Sequence, residues 1–195
     1  MIKILAFAGS ARRDSWNRKL ILCAVASAKK SGADVTLIDL ADYGLPLYDG
    51  DLEATEGVPQ NALKLKALFK SHDALLIAAP EYNSSITPLL KNTLDWISRE
   101  WQEESGLVPY QRKVAAILAT SPGQLGGMRM LPHLRQILNT LGVLVIPGQL
   151  SVPNAQEAFT SEGSLKSTTR LDELITELVR VTAALSGTAA SLKLA

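Results

Sequence analysis

The chain has 195 residues, 20 Lys and Arg against 19 Asp and Glu, and a formal net charge of +1. That length suits one domain, and the near balance of charge leaves no net field to draw nucleic acid or an anionic membrane. With 47% hydrophobic and 20% charged residues, the chain can bury a core that offsets its entropy, which excludes disorder for most of its length.

In chain order, two kinds of segment alternate. Ile2 to Ala8 is a short apolar run of strand type. Arg18 to Lys30 carries Leu20, Ile21, Ala24 and Ala28 at helical spacing and stops at Ser31-Gly32. A strand follows at Val35 to Asp39, then a long loop from Leu40 to Val58, then a helix over Asn61 to Lys70 behind Pro59. Ala74 to Ala79 reads as a third strand, and Pro88 to Trp101 as a helix with Leu90, Leu94, Ile97 and Trp101 on one face. The strand at Val114 to Thr120 leads into a helix over Met128 to Leu141, ended by Gly142. Leu144 to Val152 is a fifth strand interrupted by Pro147-Gly148; a loop spans Pro153 to Leu165, and a helix spans Thr168 to Leu185. Runs that are apolar throughout belong to parallel strands covered on both faces. The pattern therefore specifies an α/β three-layer sandwich: one domain over residues 1–187, with a five-stranded parallel sheet, helices on both faces and a frayed tail over 188–195.

In the common strand order 2-1-3-4-5, ligands bind beyond the carboxyl ends of the strands, where the order reverses between the first and third strands. The loop after the first strand, Gly9 to Asn17, offers a tight turn at Gly9, hydroxyls at Ser10 and Ser15, charge at Arg12 and a helix cap at Asn17. The same residues also suit a plain capped helix with solvated arginines. The loop has neither Gly-Lys-Ser/Thr nor G-x-G-x-x-G, so a monophosphate fits it better than a triphosphate or a dinucleotide. Without that glycine fingerprint, Asp39 reads as a loop carboxylate and not as a ribose ligand. After the third strand, Pro80, Tyr82 and Asn83 offer an apolar edge, an aromatic face and an amide, the parts that hold a flat heterocycle. After the fourth, Thr120 to Gly127 is Gly-rich; it reads either as flexible backbone donors or as a turn before a helix.

These residues carry a resemblance. Gly9-Ser10-x-Arg12-x-x-Ser15-x-Asn17-x-x-Leu20, then Leu45-Pro46-Leu47-Tyr48, then Pro80-Glu81-Tyr82-Asn83-x-Ser85-Ile86 with Leu90-Lys91-Asn92-x-x-Asp95-Trp96, resemble the NAD(P)H-dependent FMN reductase family. That family has a flavodoxin-like fold and includes bacterial chromate and quinone reductases and related azoreductases. The resemblance implies non-covalent FMN, with its phosphate at Ser10, Arg12, Ser15 and Asn17, its ring and ribityl chain at Pro80, Glu81, Tyr82 and Asn83, and Ser121 and Gly123 on the ring's far side. It implies NADPH or NADH as co-substrate, a small-molecule electron acceptor (quinone, free flavin, azo compound or metal oxyanion), and no catalytic side chain beyond the flavin. It also implies a homodimer or homotetramer with the helix from Pro88 at the interface. Ser84, where an aromatic often follows the Asn, and Thr87-Pro88, where Pro-Gly is common, depart from the pattern. A flavodoxin-like electron carrier is the alternative, and the near-neutral charge disfavours it.

The remaining signals have plainer readings. Leu90, Leu94, Ile97 and Trp101, with Leu89, Ile86 and Trp96, exceed what one domain face buries, so they predict an exposed apolar patch and self-association. Cys23 reads as a small buried hydrophobe, His72 as a solvated helix-end cation and His133 as a surface or interface residue. One cysteine and two separated histidines exclude a disulfide framework and a Cys/His zinc site. No apolar run reaches the length of a signal or spanning segment, so a cytoplasmic protein without a membrane or nucleic-acid partner is expected.

Overall fold

The computed structural model describes the backbone of residues 1–191 and the side chains of residues 1–187. Among the described residues, six strands form one parallel sheet: β1 (Lys3–Ala8), β2 (Asp34–Asp39), β3 (Ala74–Ala78), β4 (Val114–Thr120), β5 (Leu144–Val145) and β6 (Leu150–Val152). The order is β2-β1-β3-β4-β5, and β6 pairs with β4 further along, so β5 and β6 share the fifth position. The break between them is the one that Pro147-Gly148 predicts. Arg135 fills it, its guanidinium donating to the carbonyls of Val145 at 3.1 Å and Ile146 at 2.9 Å, and to Gln149 Oε1 at 3.1 Å.

The helices are α1 (Trp16–Lys30), α2 (Gly50–Glu56), α3 (Gln60–Ser71), α4 (Pro88–Ile97), α5 (Met130–Thr140), α6 (Ala155–Ala158) and α7 (Thr169–Ser191). Side chains alternate across the sheet. Ile4, Ala6 and Ala8 of β1 join α1 and α7 in one apolar layer, while Leu5 and Phe7 join α3, α4 and α5 in the other. Every residue of β3 and β4 is buried, as central parallel strands require.

Several expectations need correction. The loop expected over Leu40 to Val58 contains a 3-10 turn at Leu40–Tyr43 and α2, and the one over Pro153 to Leu165 contains α6. Helix α4 ends at Ile97, and Trp101 to Glu104 form a separate tight turn instead of a further helical turn. Leu90, Leu94, Trp96 and Ile97 are all buried within one chain, so the exposed patch read from them does not exist. Segment Leu45 to Tyr48 closes that face, where Trp96 Nε1 and Asn92 Nδ2 both donate to the Pro46 carbonyl at 2.8 Å. His72 is buried, not solvated: its Nδ1 donates to the Leu68 carbonyl at 2.7 Å and its Nε2 lies 2.8 Å from Thr36 Oγ1. Cys23 is half-buried, with Sγ 3.7 Å from the Gly163 carbonyl. The frayed tail expected over 188–195 falls on residues whose side chains, and from 192 their backbone, lie outside the description.

Candidate functional site

Three loops at the carboxyl ends of β1, β3 and β4 enclose a cleft of about 190 Å³. The first supplies Ser10, Arg12, Ser15, Trp16 and Asn17; the second Pro80, Glu81 and Tyr82; the third Thr120, Ser121 and Pro122. Eight residues singled out from the sequence thus meet here: Ser10, Arg12, Ser15, Asn17, Pro80, Glu81, Tyr82 and Ser121. Asn83 and Gly123 stand outside the lining. Asn83 is exposed at a turn tip, and the Gly123 carbonyl accepts from Gly126 N and Asn154 N, both at 3.2 Å, which secures the third loop.

The first loop is built by packing as much as by turning. A Cβ at Gly9 would lie 2.9 Å from Ala79 Cβ and 3.1 Å from Leu90 Cδ2, so close approach of β1, β3 and α4, not a left-handed turn, requires glycine there. Thr87, read from the sequence only as a departure from the family pattern, holds this junction. Its Oγ1 donates to the Gly9 carbonyl at 2.7 Å and accepts from Leu90 N at 3.1 Å, capping α4 ahead of Pro88.

Ser15, not Asn17, is the cap residue of α1, and its hydroxyl makes no capping bond. Asn17 lies inside the helix and is buried, and its amide is committed to β4. Nδ2 donates to the Thr120 carbonyl at 2.9 Å, while Oδ1 accepts from Thr120 N at 3.0 Å. What faces the cleft at this end is therefore the amino terminus of α1, the serine hydroxyls and Arg12. The first N–H groups of a helix have no intrahelical acceptor, and the first turn of α1 has no acidic residue to repel an anion.

The apolar and aromatic part of the lining is Pro80, Tyr82, Pro122 and Trp16; Trp16 was not singled out from the sequence. It packs on Phe159 at 5.4 Å between ring centroids, and Lys19 Nζ lies 4.3 Å from its ring centre. Glu81 brings no free charge to the cleft. It accepts from Arg129 N at 3.0 Å and from Arg129 Nε at 2.6 Å. Ser121 N donates to the Val152 carbonyl at 3.4 Å, so this amide of the third loop is already engaged.

A larger hollow of about 280 Å³ lies beside β2, lined by Ala8, Arg18, Leu22, Leu37, Asp39 and Asp42 among others. Asp39 is taken up within the chain: it pairs with Arg18 at 2.7 Å and accepts from Ala41 N at 3.0 Å. It is the last residue of β2 and caps the 3-10 turn that follows, so it stands at a strand end and not in the loop expected from the sequence.

A parallel sheet in this order, with helices on both faces and a cleft at its switch point, defines a flavodoxin-like fold. Residues 2–157 match the model of the NADPH-dependent FMN reductase family, and the chain belongs to that family. It is 36% identical over 180 residues to an NAD(P)H-dependent FMN reductase of Pseudomonas aeruginosa, covering 92% of this chain and 90% of that one. It is 37% identical over 167 residues to a 2-hydroxy-1,4-benzoquinone reductase of a Burkholderia species, covering 85% and 86%. Among solved structures, a flavoenzyme NAD(P)H:(acceptor) oxidoreductase from Paracoccus denitrificans superposes with a TM-score of 0.76 at 26% identity, covering 96% of this chain and 98% of that one.

Proposed function

We propose that the chain is an FMN-dependent NAD(P)H oxidoreductase acting on quinones and related flat acceptors. The observation that carries this reading is the cleft itself, whose lining joins two serine hydroxyls, the Arg12 guanidinium and the start of α1 with Pro80, Tyr82 and Trp16 at the switch point of the sheet. Its donor set fits a single phosphate ester. Ser10, Ser15, Arg12 and the amino end of α1 would hold that group, Pro80 and Tyr82 would border the ring with Trp16, and Ser121 would approach from the third loop. Asn17 would act through its grip on Thr120, and Asn83 and Gly123 through the loops they shape.

Bound FMN would supply the redox chemistry, accepting hydride equivalents from a nicotinamide and passing them to the acceptor. The chain's own part is to bind, orient and leave one face open. No carboxylate or histidine with a free acid–base role stands in the cleft lining, since Glu81 is tied to Arg129. With both nicotinamide and acceptor using this cleft, the two would take turns, which gives parallel lines in double-reciprocal plots. Acceptors of the same flat type include free flavins and azo compounds; a metal oxyanion such as chromate would be reduced at the same open face.

An electron carrier of flavodoxin type is the reading to exclude. Anaerobic addition of NADPH or NADH to FMN-loaded protein tests it. Loss of the visible flavin absorption without a partner protein is expected, and an unchanged spectrum would leave only the carrier. Homodimer or homotetramer formation in the cytoplasm completes the proposal. Leu47, 78% exposed on the segment whose Pro46 carbonyl accepts from Asn92 and Trp96, is the position at which that proposal is probed. Among the described residues, no helix is long and apolar enough to cross a membrane.

A further inference from the structure

The loop between β3 and α4 turns on two residues, Asn83 and Ser84, with φ of 49° and 66°. Tyr82 N donates to the Ser85 carbonyl and Ser85 N to the Tyr82 carbonyl, each at 3.0 Å, so the four residues form a two-residue hairpin. Hairpins with both central residues in the left-handed region favour Asn-Gly. Asn83 meets that preference and Ser84, which carries a Cβ, does not. Such a conformation persists where its surroundings over-determine it.

The surroundings here are one helix end. Just before the hairpin, Glu81 accepts from Arg129 N at 3.0 Å and Nε at 2.6 Å, and also pairs with Arg129 Nη2. At the hairpin's other end, Ser85 Oγ lies 3.1 Å from His133 Nδ1. Arg129 is the cap residue of α5 and His133 sits four residues on, so the two stand one turn apart on the same face. The Glu81 side chain is 8% exposed against 58% for Arg129, so the carboxylate lies beneath the guanidinium, away from water. α5 therefore grips both ends of the strained turn.

We propose that Arg129 and His133 are positioning residues that hold the Tyr82–Ser85 turn in its cleft-facing form, and that this hold sets how tightly the site takes a flat flavin. The second half of the statement rests on the proposed function; the first does not. It also assigns Glu81 a role without contact to the cofactor: its carboxylate anchors the wall that Pro80 and Tyr82 present.

The test compares the full chain with Arg129→Ala, Arg129→Lys, His133→Ala and the pair Arg129→Ala with Ser84→Gly. Amide hydrogen exchange over residues 81–86 is measured in flavin-free protein, with α7 as the internal control, and FMN affinity by fluorescence quenching. Arg129→Ala should speed exchange in the turn about tenfold or more while α7 is unchanged, and raise the FMN Kd by a similar factor. Arg129→Lys, which keeps the charge and loses the fork, should fall between Ala and wild type. Ser84→Gly, by relieving the left-handed strain, should return much of the lost protection and affinity in the Arg129→Ala background.

Unchanged exchange over 81–86 in Arg129→Ala overturns the proposal, as does a double variant no better than Arg129→Ala. If Arg129→Ala does not fold, His133→Ala decides: faster exchange at Ser84 to Ile86 supports the hold, and unchanged exchange refutes it. Wild-type protein that fails to bind FMN, while Arg129→Ala still loosens the turn, would sink the flavin reading and leave the positioning role standing.

Discussion

Asn17 and Thr120 lie 103 residues apart and close a two-bond ring, with each backbone polar group of Thr120 served by one end of the Asn17 amide. This ring joins α1 to the end of β4 beneath the cleft. Replacing Asn17 by Ala leaves a buried N–H and a buried carbonyl without partners, at about 1 to 3 kcal/mol for each group left unsatisfied. We expect Asn17→Ala to lower thermal stability markedly in flavin-free protein, as measured by calorimetry. An unchanged melting temperature without FMN, with affinity alone reduced, would instead make Asn17 a direct ligand.

Arg12 is exposed and anchored only by its own loop, Nη2 donating to the Asp14 carbonyl at 3.0 Å. Its removal should leave the fold intact and weaken FMN binding by about 1.5 to 3 kcal/mol, the range for a hydrogen bond to a charged group. Titration of flavin-free protein with FMN and FAD checks both this and the single-phosphate reading. FMN should bind tightly and FAD poorly; equal affinities would mean that the anion end accepts a pyrophosphate.

Glu53 accepts from Arg99 Nε at 2.9 Å and from the Tyr48 hydroxyl at 3.0 Å. Burial pushes its carboxyl upward, yet the Arg99 guanidinium and Tyr48 hydroxyl outweigh burial and hold it below the ordinary range. A carboxyl lowered on folding stabilises the fold above its unfolded pKa of about 4.3 and loses that contribution as pH falls through its folded value. With the Arg99 side chain 39% exposed, the pair is screened and worth about 0.5 to 1 kcal/mol. Glu53→Gln should therefore lower Tm by about 1 to 4 °C at pH 7. The difference from wild type should shrink as pH falls below the unfolded value and vanish only below the lowered folded one; a constant gap would mean that packing, not charge, is lost.

Leu47 stands outward on a segment whose Pro46 carbonyl accepts from Asn92 and Trp96. Self-association through this face predicts that Leu47→Asp shifts sedimentation toward the 21.0 kDa of a single chain. Wild type already at that mass at micromolar concentration would refute oligomer formation.

The central strands and the three loops of the cleft were legible in the sequence because β1, β3 and β4 are covered on both faces and read as unbroken apolar runs. Helix α2 was not: none of its residues is buried, so it carries no periodic stripe. The stripe on α4 misled in the opposite direction. It is wide because three surfaces receive it: the sheet, the side of Tyr110, whose hydroxyl donates to the Leu94 carbonyl at 2.7 Å, and the segment at Pro46. A list of apolar positions does not show how many walls surround them. Among the site residues, hydroxyls and charges next to a glycine turn could be found by type. The pairs Asn17–Thr120 and Glu81–Arg129 could not, because each is made by topology across 103 and 48 residues.

The gap between β5 and β6 bears on how the molecule behaves in a crowd. A straight outer strand beside β4 would offer a continuous ladder of open N–H and carbonyl groups, a template for a foreign strand. Here the outermost position is only two residues, then a break, then three, and Arg135 occupies the carbonyls of Val145 and Ile146 within the break. A charged side chain thus stands where an incoming backbone would have to bond. Protection against edge-to-edge aggregation is built into the same Pro-Gly interruption that keeps the fifth strand from being one piece.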